Sequence, residues 1–65
     1  MCESNVYLID KNGKEQLFFE LVDKIVAGNN EILLENILGQ RKSVKARIKE
    51  LALVDHRIVL EEVAE

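Results

Sequence analysis

Four turn-forming clusters break this chain of 65 residues into short apolar runs, and no proline occurs anywhere in it. Asn12-Gly13 separates the run Val6 to Ile9 from Leu17 to Phe19. Gly28-Asn29-Asn30 precedes Ile32 to Leu34, and Gly39-Gln40 follows it. Asp55-His56-Arg57 lies between Leu51–Val54 and Ile58–Leu60. An Asn-Gly pair tolerates the positive φ of a tight hairpin, so strand-turn-strand is the natural reading of the first break. The fourth reads as a hairpin as well. Short strands between such breaks favour a small all-β barrel or sandwich.

Hydrophobic spacing supports strands without excluding helices. Val44, Ala46 and Ile48 alternate with Lys45, Arg47 and Lys49, as in a strand with one dry face. Leu17, Leu21 and Ile25, or Val44, Ile48 and Leu51, also fit the three- and four-residue steps of a helix. Turn chemistry and β-branched content favour strands. The chain has room for one domain, residues 1–65, whose core is small enough that a metal or a second copy would add to its stability.

Charge and hydropathy narrow the partners. The N-terminus has no basic stretch followed by an apolar run, and nowhere are about 18 apolar residues contiguous. A cytoplasmic protein with no membrane association is the expectation. Net charge is −3, whereas nucleic-acid binders usually carry a basic surplus, so nucleic acid is an unfavoured partner. The local exception is Arg41, Lys42, Lys45, Arg47 and Lys49, five of the nine basic residues. Charge runs of this kind usually face solvent, and on an edge strand they discourage aggregation. Glu61, Glu62 and Glu65 read as a solubilising acidic tail.

Chemistry concentrates at one residue. Cys2 is the only cysteine, so no internal disulfide exists and the thiol stays reduced in a cytosol. Removal of Met1, general before a small second residue, would put an α-amine and a thiolate on one residue. That pair suits nickel, copper, zinc or iron and is a poor ligand for calcium or magnesium. The alternative is a small buried hydrophobe near a frayed end. His56 is the other metal donor, expected to be a solvated turn residue. Glu3 and Asp10 flank the first strand and could tune the charge near Cys2. No nucleophile-base pair, phosphate loop or acid-histidine cluster marks an enzyme.

Taken together, Met1-Cys2-Glu3, the run Val6-Tyr7-Leu8-Ile9, the turn Asp10-Lys11-Asn12-Gly13-Lys14, Leu21-Val22-Asp23-Lys24-Ile25, Glu31-Ile32-Leu33-Leu34 and Arg57-Ile58-Val59-Leu60-Glu61-Glu62 resemble the CooT family. These are small nickel-binding proteins associated with carbon monoxide dehydrogenase maturation. The resemblance implies a compact antiparallel barrel of SH3-like or Sm-like form, a homodimer, and Ni(II) held by Cys2. One amine and one thiolate are too few donors for a closed site, and a two-fold partner would supply the same pair again. Four nitrogen and sulfur donors in a plane suit Ni(II). The partner would be a nickel enzyme or its insertion machinery. Two alternatives stand beside this reading. One is a HypC-like metallocentre chaperone, although Glu3-Ser4-Asn5-Val6 replaces that family's N-terminal motif. The other is a small-barrel RNA-binding protein using Arg41 to Lys49.

Overall fold

The computed structural model describes residues 3–63. Six strands account for most of them: β1 (Ser4–Ile9), β2 (Glu15–Ala27), β3 (Ile32–Asn36), β4 (Arg41–Val44), β5 (Ala46–Ala52) and β6 (Arg57–Glu62). No helix occurs among the described residues. Leu17, Leu21 and Ile25 all lie on β2, so the three- and four-residue spacing there was coincidental. The strands form one sheet in the order β4-β3-β2-β1-β6-β5.

All four breaks are hairpins, and two share one design. Asp10 N–H donates to the Lys14 carbonyl and Gly13 N–H to the Asp10 carbonyl, both at 2.9 Å. Asp10 Oδ1 also accepts the N–H groups of Asn12 and Lys14. Asn36 repeats the pattern with Gln40 and Gly39, its Oδ1 accepting from Leu38 and Gln40. Only the fourth residue of each turn has positive φ, Gly13 at 83° and Gly39 at 82°. Asn12 therefore does not share the left-handed backbone with Gly13; the side chain of Asp10 organises a five-residue turn instead. Asn30 (55°) and His56 (54°) supply the left-handed residue in the other two hairpins.

The sheet is mixed and is not closed into a barrel, so the antiparallel barrel is corrected to an open, curled sheet. Each hairpin reverses the chain, whereas β4 passes into β5 through Lys45 alone. Four reversals return the chain to its starting direction. First and last strands can then pair only in parallel, as β1 and β6 do from Asn5↔Arg57 to Ile9↔Glu61. Lys45 also joins the two edge strands end to end, which forces the sheet to curl. No ladder links β4 to β5 among the described residues. The single strand expected through residues 44–49 is thus two strands on opposite edges. Its dry face holds at Val44 and Ala46 and is lost at Ile48, which is half-exposed at the open edge.

β2 makes the curl possible. Its first half pairs with β1 and its second with β3, and Val22 faces Ser4 on one side and Asn36 on the other. Register shifts flank this point, and Leu21 takes φ 57°. Bulges of this kind bend a strand and increase its twist. The concave face holds the core of Val6, Val22, Ile32, Leu34, Ala46, Ile58 and Leu60, with Phe18, Phe19 and Ile25 packed against it. Full burial of an aliphatic side chain contributes about 1.5–3 kcal/mol, and these few residues supply most of the stability.

Candidate metal centre and its surroundings

Cys2 lies outside the described residues, so the surroundings of its attachment point define the site. Only Glu3 lies between it and Ser4, and chain geometry keeps the Cys2 and Ser4 Cα atoms within about 7 Å. Ser4 opens β1 and is buried beside Val22. A hollow of about 140 Å³ lies there, lined by Ser4, Val22, Asp23, Lys24, Ile25 and Ile58. Its floor is the end of the core, and its polar groups are one carboxylate, one ammonium and one hydroxyl.

A row of hydrogen bonds crosses the sheet at this end. Ile37 N–H donates to the Leu21 carbonyl at 2.9 Å, and Leu21 N–H reaches Asn5 Oδ1 at 3.5 Å. Asn5 N–H donates to the His56 carbonyl at 2.9 Å. The β3–β4 turn, the β2 bulge, the start of β1 and the β5–β6 turn are therefore neighbours. His56, distant from Cys2 in sequence, is brought to the strand that Cys2 precedes. Its side chain is exposed.

Asp10 is placed differently. It sits at the far end of β1, a six-residue strand of about 20 Å, and its carboxylate is engaged within its own turn. It does not tune the charge near Cys2; half-buried Glu3 remains the nearby carboxylate. The acidic tail is also revised. Glu61 and Glu62 belong to β6, Glu61 pairs with Arg47 at 3.3 Å, and Glu65 lies outside the described residues.

Around the same row the surface is apolar. Val54 is 93% exposed, Leu38 70% and Leu53 63%, with Ile37 and Leu21 also open to solvent. Sequence periodicity missed this patch because its most exposed members, Leu38, Leu53 and Val54, follow no strand or helix repeat. Its available signal was chemical: Leu38 and Leu53-Val54 occupy hairpin tips, where polar residues are usual.

The basic cluster is largely committed within the chain. Arg41 pairs with Glu35 at 3.4 Å and Arg47 with Glu61. Lys42 Nζ donates to the Phe18 carbonyl at 3.2 Å and lies over the rings of Phe18 and Phe19. Elsewhere Arg57 bonds Glu15 and stacks on Tyr7 at 4.5 Å. Among the described residues no group of three His, Cys, Asp or Glu side chains is placed to hold a metal ion. No described helix is long and apolar enough to cross a membrane.

Fold and surroundings define a small all-β protein, one curled sheet with an apolar end around its N-terminal strand. The family of CO dehydrogenase accessory proteins CooT matches residues 1–61, and the chain belongs to that family. A crystal structure described as that of a candidate CooT from Carboxydothermus hydrogenoformans is 51% identical, with a TM-score of 0.85. That match covers 97% of this chain and 100% of the other. No curated protein matches the chain.

Proposed function

We propose that this protein is a nickel-binding accessory protein, a metallochaperone or nickel store without catalytic activity of its own. Ni(II) is its cargo, held by the Cys2 thiolate at an interface between two copies of the chain. Its recipient is a nickel enzyme such as carbon monoxide dehydrogenase, or the machinery that loads it, in the cytoplasm. The observation that carries this reading is membership of the CO dehydrogenase accessory family over a stretch that includes the sole cysteine.

The apolar row supports the dimer. Monomers seldom leave large aliphatic groups grouped at one end, and such patches mark interaction sites. A two-fold contact here would bring together two chain starts, each with its own thiolate, and so remedy the shortage of donors in one chain.

Native mass spectrometry with and without nickel tests the reading directly. The expected species is a dimer that takes up nickel, and a Cys2→Ser dimer that takes up none. Nickel stoichiometry unchanged by Cys2→Ser would sink the site, and a monomer binding nickel at full strength would sink the shared interface.

A further inference from the structure

A β-bulge shapes the hollow beside Ser4. Val22 pairs with Ser4 on one side and Asn36 on the other, and the next pair between β2 and β3 is Lys24↔Glu35. Asp23 is the extra residue, with no ladder partner on either side. Bulges re-aim a side chain, and they are frequent next to active sites. Here Val22 and Ile25 both pack on the core, while Asp23 borders the hollow.

Two polar groups of the hollow are uncommitted. Ser4 is only 8% exposed, and its hydroxyl opens to the hollow without a hydrogen-bond partner among the described residues. Asp23 likewise makes no hydrogen bond or ion pair among them. Other carboxylates are engaged: Glu15 with Arg57, Glu35 with Arg41, Glu61 with Arg47, and Asp10 within its own turn. Glu3 is nearer to Cys2 in the chain but does not line the hollow.

We infer, resting on nickel binding by Cys2 as proposed above, that Asp23 supplies a carboxylate oxygen to the same ion. The Ser4 hydroxyl donates a hydrogen bond to the other carboxylate oxygen. Reach permits this: Ser4 and Asp23 border one hollow of about 140 Å³, and the Cα of Cys2 is within about 7 Å of that of Ser4. Donor chemistry agrees. Amine and thiolate from two copies fill a plane and leave the positions above and below it open. Ni(II) accepts tetragonal sets that include nitrogen and oxygen, so a carboxylate from each copy suits those positions. Ligating carboxylates are held by hydrogen bonds of their own, which is the part Ser4 plays. Two thiolates already balance the charge of Ni(II), and Lys24, lining the same hollow, offsets the carboxylate. The added oxygen also changes the ion itself. Planar Ni(II) is diamagnetic, and axial donors make it paramagnetic.

Nickel titration of the parent and of Asp23→Ala tests the role, with Glu31→Ala on the β2–β3 hairpin controlling for net charge. Asp23 and Glu31 are both exposed, so the fold should survive either change. Asp23→Ala should bind nickel at least about ten-fold more weakly with its dimer content unchanged, and Glu31→Ala should match the parent. Asp23→Asn, of the same shape but a poorer donor, should also bind more weakly, which decides the matter if the alanine variant fails to fold. Magnetic susceptibility measured by NMR should find the nickel-loaded parent paramagnetic and nickel-loaded Asp23→Ala diamagnetic. Thiolate-to-nickel charge-transfer absorption should persist in Asp23→Ala and vanish in Cys2→Ser. Unchanged affinity in the Asp23 variants, an equal loss in Glu31→Ala, or magnetism indifferent to Asp23 would overturn the inference and leave Cys2 as the ligand. Absorption surviving in Cys2→Ser would overturn the nickel reading, and the role of Asp23 with it.

Discussion

The backbone N–H of Asn5 donates to the carbonyl of His56 at 2.9 Å and seats the β5–β6 turn beside the start of β1. His56 makes that bond from a left-handed backbone, φ 54°. The same contact brings an imidazole to the end of the sheet from which Cys2 extends. Whether His56 is there for its backbone or for its ring is a question substitution can answer.

A left-handed residue other than glycine costs about 1–2 kcal/mol. His56→Gly should therefore fold with stability equal to or above the parent, because relief of strain offsets the added freedom of the unfolded chain. His56→Val, β-branched at the same φ, should lose about 1 kcal/mol or more in chemical denaturation. In nickel titrations His56→Gly should retain full stoichiometry. Loss of nickel by a well-folded His56→Gly would make the ring a ligand.

The twin turns allow a matched comparison of one hydrogen-bond pattern in two environments. Asp10 is half-exposed, whereas Asn36 is buried and adds a bond from Nδ2 to Gln40 Oε1 at 2.8 Å. Asp10→Ala leaves N–H groups that water can reach and should cost about 1 kcal/mol. Asn36→Ala strips three bonds made by a buried side chain and should cost about 2–3 kcal/mol. Equal midpoints for the two variants in urea would refute the burial argument.

These turns also show why the strand pattern could be read from residue types and the curl of the sheet could not. Glycine, asparagine and aspartate act locally, so Gly13, Gly39, Asn30 and His56 mark four hairpins with no tertiary information. The four reversals imply a parallel β1–β6 pair once it is known that Lys45 does not turn the chain. That is a tertiary fact: nothing about a lysine between Val44 and Ala46 distinguishes an uninterrupted strand from a corner. The site divides in the same way. Cys2 is conspicuous by its chemistry alone, whereas the neighbourhood of Leu21, Leu38, Val54 and His56 exists only through the Asn5 hydrogen bonds.

Proton competition sets the expected pH dependence of the cargo site. A thiol ordinarily titrates near about 8.5 and an α-amine near about 8, and Ni(II) binds only their deprotonated forms. Raising pH frees both donors, so apparent nickel affinity should rise between about pH 6 and 9 and release of the ion should be favoured on the acid side. Calorimetry in buffers of different ionisation enthalpy should register proton release on binding. Affinity flat across that range would exclude both groups as donors.

The dimer proposal places a hydrophobic contact at the end of the sheet where β1 begins. Leu38 and Val54 are well suited to test it because both are highly exposed and lie at turn tips outside the core. A carboxylate at either position stays hydrated in the isolated chain, so Leu38→Asp and Val54→Asp should fold with stability within about 0.5 kcal/mol per chain. In a two-fold interface each substitution enters twice and buries charge against apolar surface, which is costly without a partner. Analytical ultracentrifugation should find the doubly substituted chain monomeric at concentrations where the parent is a dimer. Nickel uptake should fall with dimer content, since each copy would be left with its own donors. Cys2→Ser should do the reverse, abolishing nickel uptake and leaving the dimer. A Leu38→Asp/Val54→Asp protein that remains dimeric would move the interface to another face. One that is monomeric yet binds nickel as tightly as the parent would show that a single chain suffices for the site.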